Sequence, residues 1–249
     1  IQINTNNTTA KVQPNMWGVF FEDINFGADG GIYAELIKNR SFEFAKPLMG
    51  WTIKREKANE GEILVVNRKE INSANPRYLQ INTKNGNFGL SNEGFKGIGV
   101  KKGLRYDFSI MYRQQKNGVK LRLQLVSNDQ KVIAEGTLSP EKNGDKWNKQ
   151  SLSFIAKASD PKATFTISFE GKGEIDLDMI SLFPGDTWKN RPQGLRADMV
   201  KLLADMKPGF IRFPGGCIVE GTDLANRYQW KKTIGPIENR QLIMNRWNT

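Results

Sequence analysis

The 249-residue chain contains no histidine and a single cysteine, Cys217, and these shortages exclude several kinds of site. Without histidine, the chain cannot by itself assemble a Ser-His-Asp or Cys-His catalytic group. One cysteine cannot form an internal disulfide, and without histidine the ligands of a Cys/His zinc site are lacking. Carboxylates, lysines, tyrosines and Cys217 therefore remain as the groups for acid–base or nucleophilic chemistry.

Long apolar runs are also lacking. No stretch approaches the roughly 18–20 apolar residues of a membrane helix, so the sequence predicts no membrane span. The first residues, Ile1 to Asn4, do not have the pattern of a signal peptide. Hydrophobic residues still make up 38% of the chain, which is enough for a core and excludes a wholly disordered protein.

Basic residues outnumber acidic ones, 37 to 26, which gives a formal charge of +11. They are dispersed, however, and Lys101-Lys102 and Lys231-Lys232 are isolated pairs. Because no RNA-binding signature, zinc finger or basic helix is present, the sequence predicts a solvated basic surface and no nucleic-acid partner. Attraction to an acidic polysaccharide or another polyanion is the alternative.

The pattern of residues changes twice along the chain. In residues 1–46, the apolar run at 16–21 is typical of a strand buried on both faces, and the spacing at 32–37 predicts a helix. Residues 47–184 show strand-like alternation and frequent turn signals, which predict a β-sandwich or jelly roll. Within that block, Asp176 and Asp178 alternate with apolar residues and are expected on a solvated face, with a metal site as the less favoured alternative.

Residues 185–249 return to an α/β pattern. Apolar residues recur at helical spacing over 195–206, Lys207-Pro208-Gly209 predicts the end of that helix, and residues 210–213 form a short apolar strand. The order predicts an all-β domain inserted into an α/β domain. Residues outside 47–184 suffice for only two or three of the roughly 31-residue units of a (β/α)₈ barrel. Either the chain is a piece of a longer protein or the α/β interpretation is wrong.

Two places in the α/β segments could carry chemistry. Glu22 and Asp23 end the first strand, where polar groups of parallel α/β folds face the active site, although a helix cap or a turn carboxylate is the alternative. Arg212 stands between large apolar residues, and a charge buried there requires a carboxylate partner. The Gly215-Gly216 pair that follows allows positive φ angles and close approach of a ligand, or simply a tight turn beside a small buried cysteine.

Trp230 and Trp247 lie in the polar stretch after Cys217. They could stack on sugar rings, or they could belong to a core. Glycoside hydrolysis by a retaining enzyme needs two carboxyl groups about 5–5.5 Å apart. The residues alone do not identify such a pair.

Three blocks of sequence carry a family resemblance. WGVFFEDIN at 17–25, continued by ADGGIYAELIKNRSF at 28–42, resembles the opening of the α-L-arabinofuranosidases of glycoside hydrolase family 51. FIRFPGGCIVEG at 210–221 and YQWKKTIGP at 228–236 resemble the second barrel strand of that family and the stretch after it. Residues 47–184 are similar to the carbohydrate-binding-like β-sandwich that some extracellular members insert.

The resemblance implies a mixed fold: the start of a (β/α)₈ TIM barrel, comprising its first two β/α units, interrupted by an inserted all-β jelly-roll or β-sandwich domain. Residues 1–46 would be an N-terminal arm with the first barrel strand and helix. Residues 47–184 would be the insert. Residues 185–249 would supply the second barrel helix, the second strand and the following loop of an incomplete chain.

The resemblance also implies a function. The family consists of retaining hydrolases that release terminal α-L-arabinofuranosyl groups from arabinose-containing polysaccharides and oligosaccharides, without a cofactor. Carried over to this sequence, Glu22 would hydrogen-bond the arabinose hydroxyls, Arg212 would keep the nucleophile's carboxylate ionised, Cys217 would line the sugar pocket, and Trp247 would lie near the leaving group.

The family's acid/base and nucleophile glutamates cannot be placed in this sequence. We therefore expect no catalytic residue here apart from the supporting Arg212, and no hydrolase activity from the 249 residues alone. The implied location is secreted or periplasmic, and a homo-oligomer is left open. The alternative function is a stand-alone carbohydrate-binding module whose flanking segments are tethers.

Overall fold

The computed structural model describes residues 2–57, 59–68, 74–84 and 87–243, and strands dominate it. β1 and β12 form a short parallel pair, and the ten strands between them form one near-closed sheet. The strands are β1 Val19–Phe20, β2 Trp51–Lys54, β3 Gly61–Asn67, β4 Arg77–Lys84, β5 Gly89–Asn92, β6 Ile98–Val100, β7 Arg105–Arg113, β8 Val119–Val126, β9 Val132–Leu138, β10 Asn148–Ile155, β11 Asp160–Pro184 and β12 Ile211–Arg212.

The long strand β11 belongs to both layers of the large sheet. Its first half pairs with β5, β6 and β8, which gives the order β2-β5-β11-β8-β9 in one layer. Its second half pairs with β4 and β7, which gives the order β10-β7-β11-β4-β3 in the other layer. The layers face each other across the core, where the ring of Phe108 on β7 stacks 5.5 Å from that of Phe165 on β11.

The strands form where the sequence alternates. In β8, Leu121, Leu123 and Leu125 are fully buried, whereas the residues between them are exposed or half-buried. Side chains of a strand point alternately to opposite faces, so this pattern places every leucine in the core. All of β2 to β11 fall within residues 47–184, so the prediction of a strand-rich block is confirmed. The division into three domains stays a prediction.

Helices are few and peripheral in the part of the chain that the structure describes. α1 spans Ala197–Asp205, as the spacing predicted, and α2 spans Cys217–Glu220. Single 3₁₀ turns occur at Trp188–Asn190, Trp230–Thr233 and Ile237–Asn239. No residue of α1 is buried, and Leu202 on it is 66% exposed. None of these helices has the length and apolar character needed to cross a membrane.

The predicted helix at 32–37 is wrong. The backbone N–H of Ala34 donates to Gly194 and that of Leu36 donates to Leu182, and the N–H of Ile37 donates to the side chain of Glu35. These donors are thus satisfied by distant segments and by a side chain, instead of by carbonyls four residues earlier. Local spacing could not reveal those partners.

The expected burial of the first strand on both faces is also wrong for this chain. β1 contains only two residues, and the ring of Phe20 is 53% exposed. Ile211, in the neighbouring β12, is 54% exposed. A two-stranded sheet leaves both outer edges unpaired, and the described residues place no layer over these side chains.

Candidate functional site

β1 and β12 place two predicted site residues at one edge. The strands run parallel, with Phe20 opposite Arg212. The pairing continues beyond β1, because the N–H of Asp23 donates to the Pro214 carbonyl at 2.8 Å. Glu22 therefore follows β1 at the same carboxyl-terminal edge where β12 ends.

Glu22 and Arg212 both approach the turn at residues 214–216. Oε1 of Glu22 accepts a hydrogen bond from the backbone N–H of Gly216 at 3.3 Å. Nη2 of Arg212 lies 3.5 Å from the point that a Cβ atom on Gly216 would occupy. The structure thus brings the carboxylate and the guanidinium to one turn, while their roles in binding or catalysis stay predictions.

Gly215 is the residue of this turn that must be glycine. Its φ angle is +131°, a region that side chains rarely adopt. A Cβ atom there would lie 2.6 Å from Cγ of Glu22. The absence of a side chain therefore lets Glu22 fold over the turn.

The predicted burial of Arg212 is wrong in this chain. The residue is exposed, and its guanidinium carbon lies 4.6 Å from the centre of the Phe20 ring, a cation–π contact. Within the described residues, no carboxylate lies within ion-pair distance of it. The cause is the lack of a covering layer on the β1–β12 pair, which leaves the charge in water.

The two remaining predicted binding residues differ in what the structure shows. Cys217 begins α2 directly after the turn, and its thiol is free and half-buried. It is therefore beside Glu22 and Arg212 in the fold as well as near Arg212 in sequence. Trp247 lies outside the described residues.

Glu22 and Asp23 follow each other in the sequence but have different hydrogen-bond partners. Side chains alternate along the paired strands, because Phe20 contacts Arg212 on the Glu22 side, whereas Phe21 contacts Phe213 on the other side. The pairing reaches the Asp23 N–H, and the chain then turns, since the Ile24 N–H donates to the Glu22 carbonyl. Oδ1 of Asp23 accepts a hydrogen bond from the N–H of Ala28 at 2.9 Å. Burial raises the pKa of this carboxyl group, and the Ala28 hydrogen bond partly offsets the effect.

Glu35 is a structurally important carboxylate that the sequence analysis missed. It is buried and accepts hydrogen bonds from Arg40 at 3.1 Å, from the Leu182 N–H at 2.9 Å and from the Ser181 hydroxyl. Burial raises its pKa, and the Arg40 charge acts in the opposite direction. Glu35 therefore fastens the N-terminal segment to β11. A lone acid within an apolar stretch was the signal available in the sequence.

The expectation that Asp176 and Asp178 form a solvated face is wrong. Oδ2 of Asp178 lies 3.1 Å from Nη2 of Arg68, and Oδ2 of Asp176 lies 2.6 Å from Nε of Arg113. Asp178 is 5% exposed, and burial raises its pKa to about 7. Both acids therefore pair with arginines over the outer face of the sheet.

Comparisons with known proteins find similar chains. A family model described as "Alpha-L-arabinofuranosidase 1 domain" matches residues 202–249. The extracellular exo-alpha-L-arabinofuranosidase of Streptomyces chartreusis is 36% identical over 260 aligned residues, covering 96% of this chain and 30% of that protein. Alpha-L-arabinofuranosidase 1 of Arabidopsis thaliana is 31% identical, covering 96% of this chain and 37% of its own length.

A solved structure of the arabinose-bound MgGH51 α-L-arabinofuranosidase is similar over nearly the entire chain. The TM-score is 0.85 at 33% sequence identity, and the match covers 97% of this chain and 40% of that one. The chain matches the N-terminal portion of family 51 α-L-arabinofuranosidases. The chain spans between 30% and 38% of the length of the curated relatives that it matches.

Proposed function

We propose that the chain is the N-terminal part of a retaining α-L-arabinofuranosidase that releases terminal non-reducing α-L-arabinofuranosyl groups from plant polysaccharides and their oligosaccharides. The observation that carries the proposal is the parallel pairing of β1 with β12, which brings Glu22 and Arg212 to the 214–216 turn. The names of the relatives support the choice of substrate.

The same proposal extends to the fold. β1 and β12 are the first two strands of a (β/α)₈ barrel, α1 precedes the second strand, and residues 47–184 are a jelly-roll insert between residues 1–46 and 185–249. Support comes from the apolar side chains left in water, since Ile211 is 54% exposed and Leu202 is 66% exposed. Strands of such a barrel are covered on both faces, and the remaining barrel units would cover these residues.

The proposed chemistry divides between this chain and the residues beyond it. A retaining mechanism uses a carboxylate nucleophile and a carboxylic acid about 5–5.5 Å apart, and we place both outside this chain. The positive charge of Arg212 beside the nucleophile would lower its pKa and keep it ionised. The Glu22 carboxylate, oriented by the Gly216 N–H, would accept hydrogen bonds from arabinose hydroxyls.

Cys217 and Trp247 complete the proposed sugar site. Cys217 would line the pocket beside the turn, and Trp247 would lie on the leaving-group side. The reaction needs no cofactor, the partner is an arabinose-containing glycan, and nucleic acid has no part in it. We further propose a secreted or periplasmic location, supported by the name of the Streptomyces relative.

The alternative, a stand-alone carbohydrate-binding module, is not favoured. Similarity to arabinofuranosidases covers 96% of the chain and so includes both flanks of the strand-rich block. The flanks also pair with each other as strands, which tethers would not do.

Hydrolysis of 4-nitrophenyl α-L-arabinofuranoside tests the proposal. The longer protein that contains this chain should release nitrophenol, and the 249-residue chain should not. Arg212→Ala in the longer protein should lower kcat by about a hundredfold or more, whereas Arg191→Ala, which removes an exposed arginine away from the turn, should have little effect. No hydrolysis by the longer protein refutes the function, and arabinose release by the 249-residue chain refutes the division of the site.

A further inference from the structure

A cavity of about 400 Å³ lies against the face of the β1 extension opposite to Glu22. Five parts of the chain form it: residues 23–44, Asn75, Met179 on β11, the end of β12 at Phe213 and Pro214, and the loop after α2 from Tyr228 onward. Its volume falls within the range of about 300–1,000 Å³ that is typical of small-molecule sites. We call it the lateral cavity, and its lining includes Asp23, Phe44, Met179, Phe213, Tyr228 and Arg240.

The carboxylate of Asp23 gives the lateral cavity an acceptor with unused capacity. A carboxylate offers about four lone-pair sites, and the side-chain hydrogen bond that the structure gives Asp23 comes from the Ala28 N–H. Among the described residues, no lysine or arginine nitrogen lies within 4.0 Å of it. A half-buried carboxylate of this kind is best satisfied by a ligand that donates hydrogen bonds.

Aromatic rings supply the apolar part of the lining. Phe213 is 54% exposed, and Tyr228 is half-buried beside it in the same cavity. Phe26 and Phe44 stack on each other with ring centres 6.0 Å apart and planes inclined by 6°. Aromatic rings pack against apolar C–H faces, and the neighbouring carboxylate accepts hydrogen bonds from hydroxyl groups. The lining therefore suits a molecule that has both.

The charges of the lining favour a neutral ligand. Two carboxylates, Asp23 and Asp29, face two guanidinium groups, Arg40 and Arg240. Arg40 is already held by Glu35 at 3.1 Å and by Asp29 at 4.0 Å. A cationic ligand would meet the two arginines and an anionic one the two aspartates, so neither sign of charge gains overall.

We propose that the lateral cavity binds a neutral sugar unit of a polysaccharide chain, with Asp23 accepting its hydroxyl groups and Tyr228 packing on its C–H face. The inference deepens the proposed function, on which the choice of a glycan ligand rests. A polysaccharide segment bound here would lie on the side of the β1 extension opposite to Glu22.

Titration of a short arabino-oligosaccharide and a short xylo-oligosaccharide into the 249-residue chain, followed by calorimetry, tests the inference. At least one should bind saturably, and a galacturonate oligomer of equal length should bind more weakly. Asp23→Asn keeps an oxygen for the Ala28 N–H, so the fold should persist, yet it should weaken binding about tenfold or more. Tyr228→Ala should weaken it similarly. Leu224→Ala, at an exposed residue outside the lining in the same loop, is the matched control and should bind normally.

Three results would overturn the inference: no saturable binding of either neutral oligosaccharide, equal binding by all variants, or loss of binding in Glu22→Gln with normal binding in Asp23→Asn. The last result would assign the sugar to the Glu22 side and leave the proposed function intact. Failure of the proposed function shows separately, as absence of arabinofuranoside hydrolysis by the longer protein. Unfolding curves for each variant check that any lost binding does not reflect a lost fold.

Discussion

Replacing Gly215 by alanine should damage the strand-end turn far more than the same change at its neighbour. Gly215 has a φ angle of +131°, and an added Cβ atom would lie 2.6 Å from Cγ of Glu22. At Gly216, the φ angle is −111°, and the nearest atom to an added Cβ is Nη2 of Arg212 at 3.5 Å, an ordinary contact. The two variants are therefore a matched pair in composition and position.

The expected magnitude has two parts. Holding alanine in a backbone conformation reserved for glycine costs about 1–3 kcal/mol. Displacement of Glu22 also breaks its hydrogen bond to the Gly216 N–H, a bond of 3.3 Å to a half-buried carboxylate, at a cost of about 1 kcal/mol. Gly215→Ala should therefore lower the free energy of unfolding by about 2–4 kcal/mol, and Gly216→Ala should change it by less than about 1 kcal/mol.

Urea unfolding of the 249-residue chain, followed by tryptophan fluorescence and circular dichroism, measures both values. In a Glu22→Ala background, Gly215→Ala should cost about 1 kcal/mol less, because the hydrogen bond is already absent while the backbone strain remains. Equal destabilisation by Gly215→Ala and Gly216→Ala would refute the reasoning, as would an unchanged cost in the Glu22→Ala background.

Three further perturbations probe other parts of the molecule. Because burial raises the pKa of Asp178 from 3.8 to about 7, ionising it disfavours the folded state as the pH rises from about 4 to 7. Over this pH range, the free energy of unfolding of the wild type should therefore fall relative to that of Asp178→Asn by at most about 4 kcal/mol. Urea unfolding at a series of pH values measures it, and the same pH dependence in both proteins would contradict the prediction. Glu35→Gln should lower the free energy of unfolding by about 3–5 kcal/mol, since it breaks the ion pair that the buried Glu35 carboxylate makes with Arg40 at 3.1 Å. A loss below about 1 kcal/mol in urea titrations would argue against that role. Leu202→Glu combined with Met206→Glu should reduce self-association of the 249-residue chain and its binding of a hydrophobic fluorescent dye, because both side chains are exposed. Unchanged elution in size-exclusion chromatography and unchanged dye fluorescence would show that these side chains do not drive self-association.

Local periodicity predicted the elements whose pattern is complete within a few residues. The alternation around Leu121–Leu125 became β8, and the helical spacing around Leu202 became α1. A strand or helix of this kind needs only one apolar face, and the spacing of residues specifies that face. The glycine pair was likewise readable, since Gly215 adopts the positive φ angle that its residue type permits.

Predictions that depended on partners from distant segments failed. The spacing at 32–37 suggested a helix, but Glu35 and its neighbours hydrogen-bond to residues of β11 and of the segment before α1. Asp178 was expected in water and is buried against Arg68, whereas Arg212 was expected in a core and is exposed. Burial of a charge is decided by which segments cover it, and residue spacing carries no information about that.

The sequence by itself determined the strand-rich block, the helix α1, the glycine turn and the blocks that resemble family 51. The parallel pairing of β1 with β12 was expected from that resemblance, and the structure confirms it. Only the tertiary structure decided that Glu22 lies over Gly215, that Arg212 is exposed, and that Asp23 lines a cavity. The physical reason is the separation along the chain over which each interaction acts. Backbone propensity and amphipathic spacing act over a few residues, but the surroundings of a side chain are set by contacts between segments far apart in the chain.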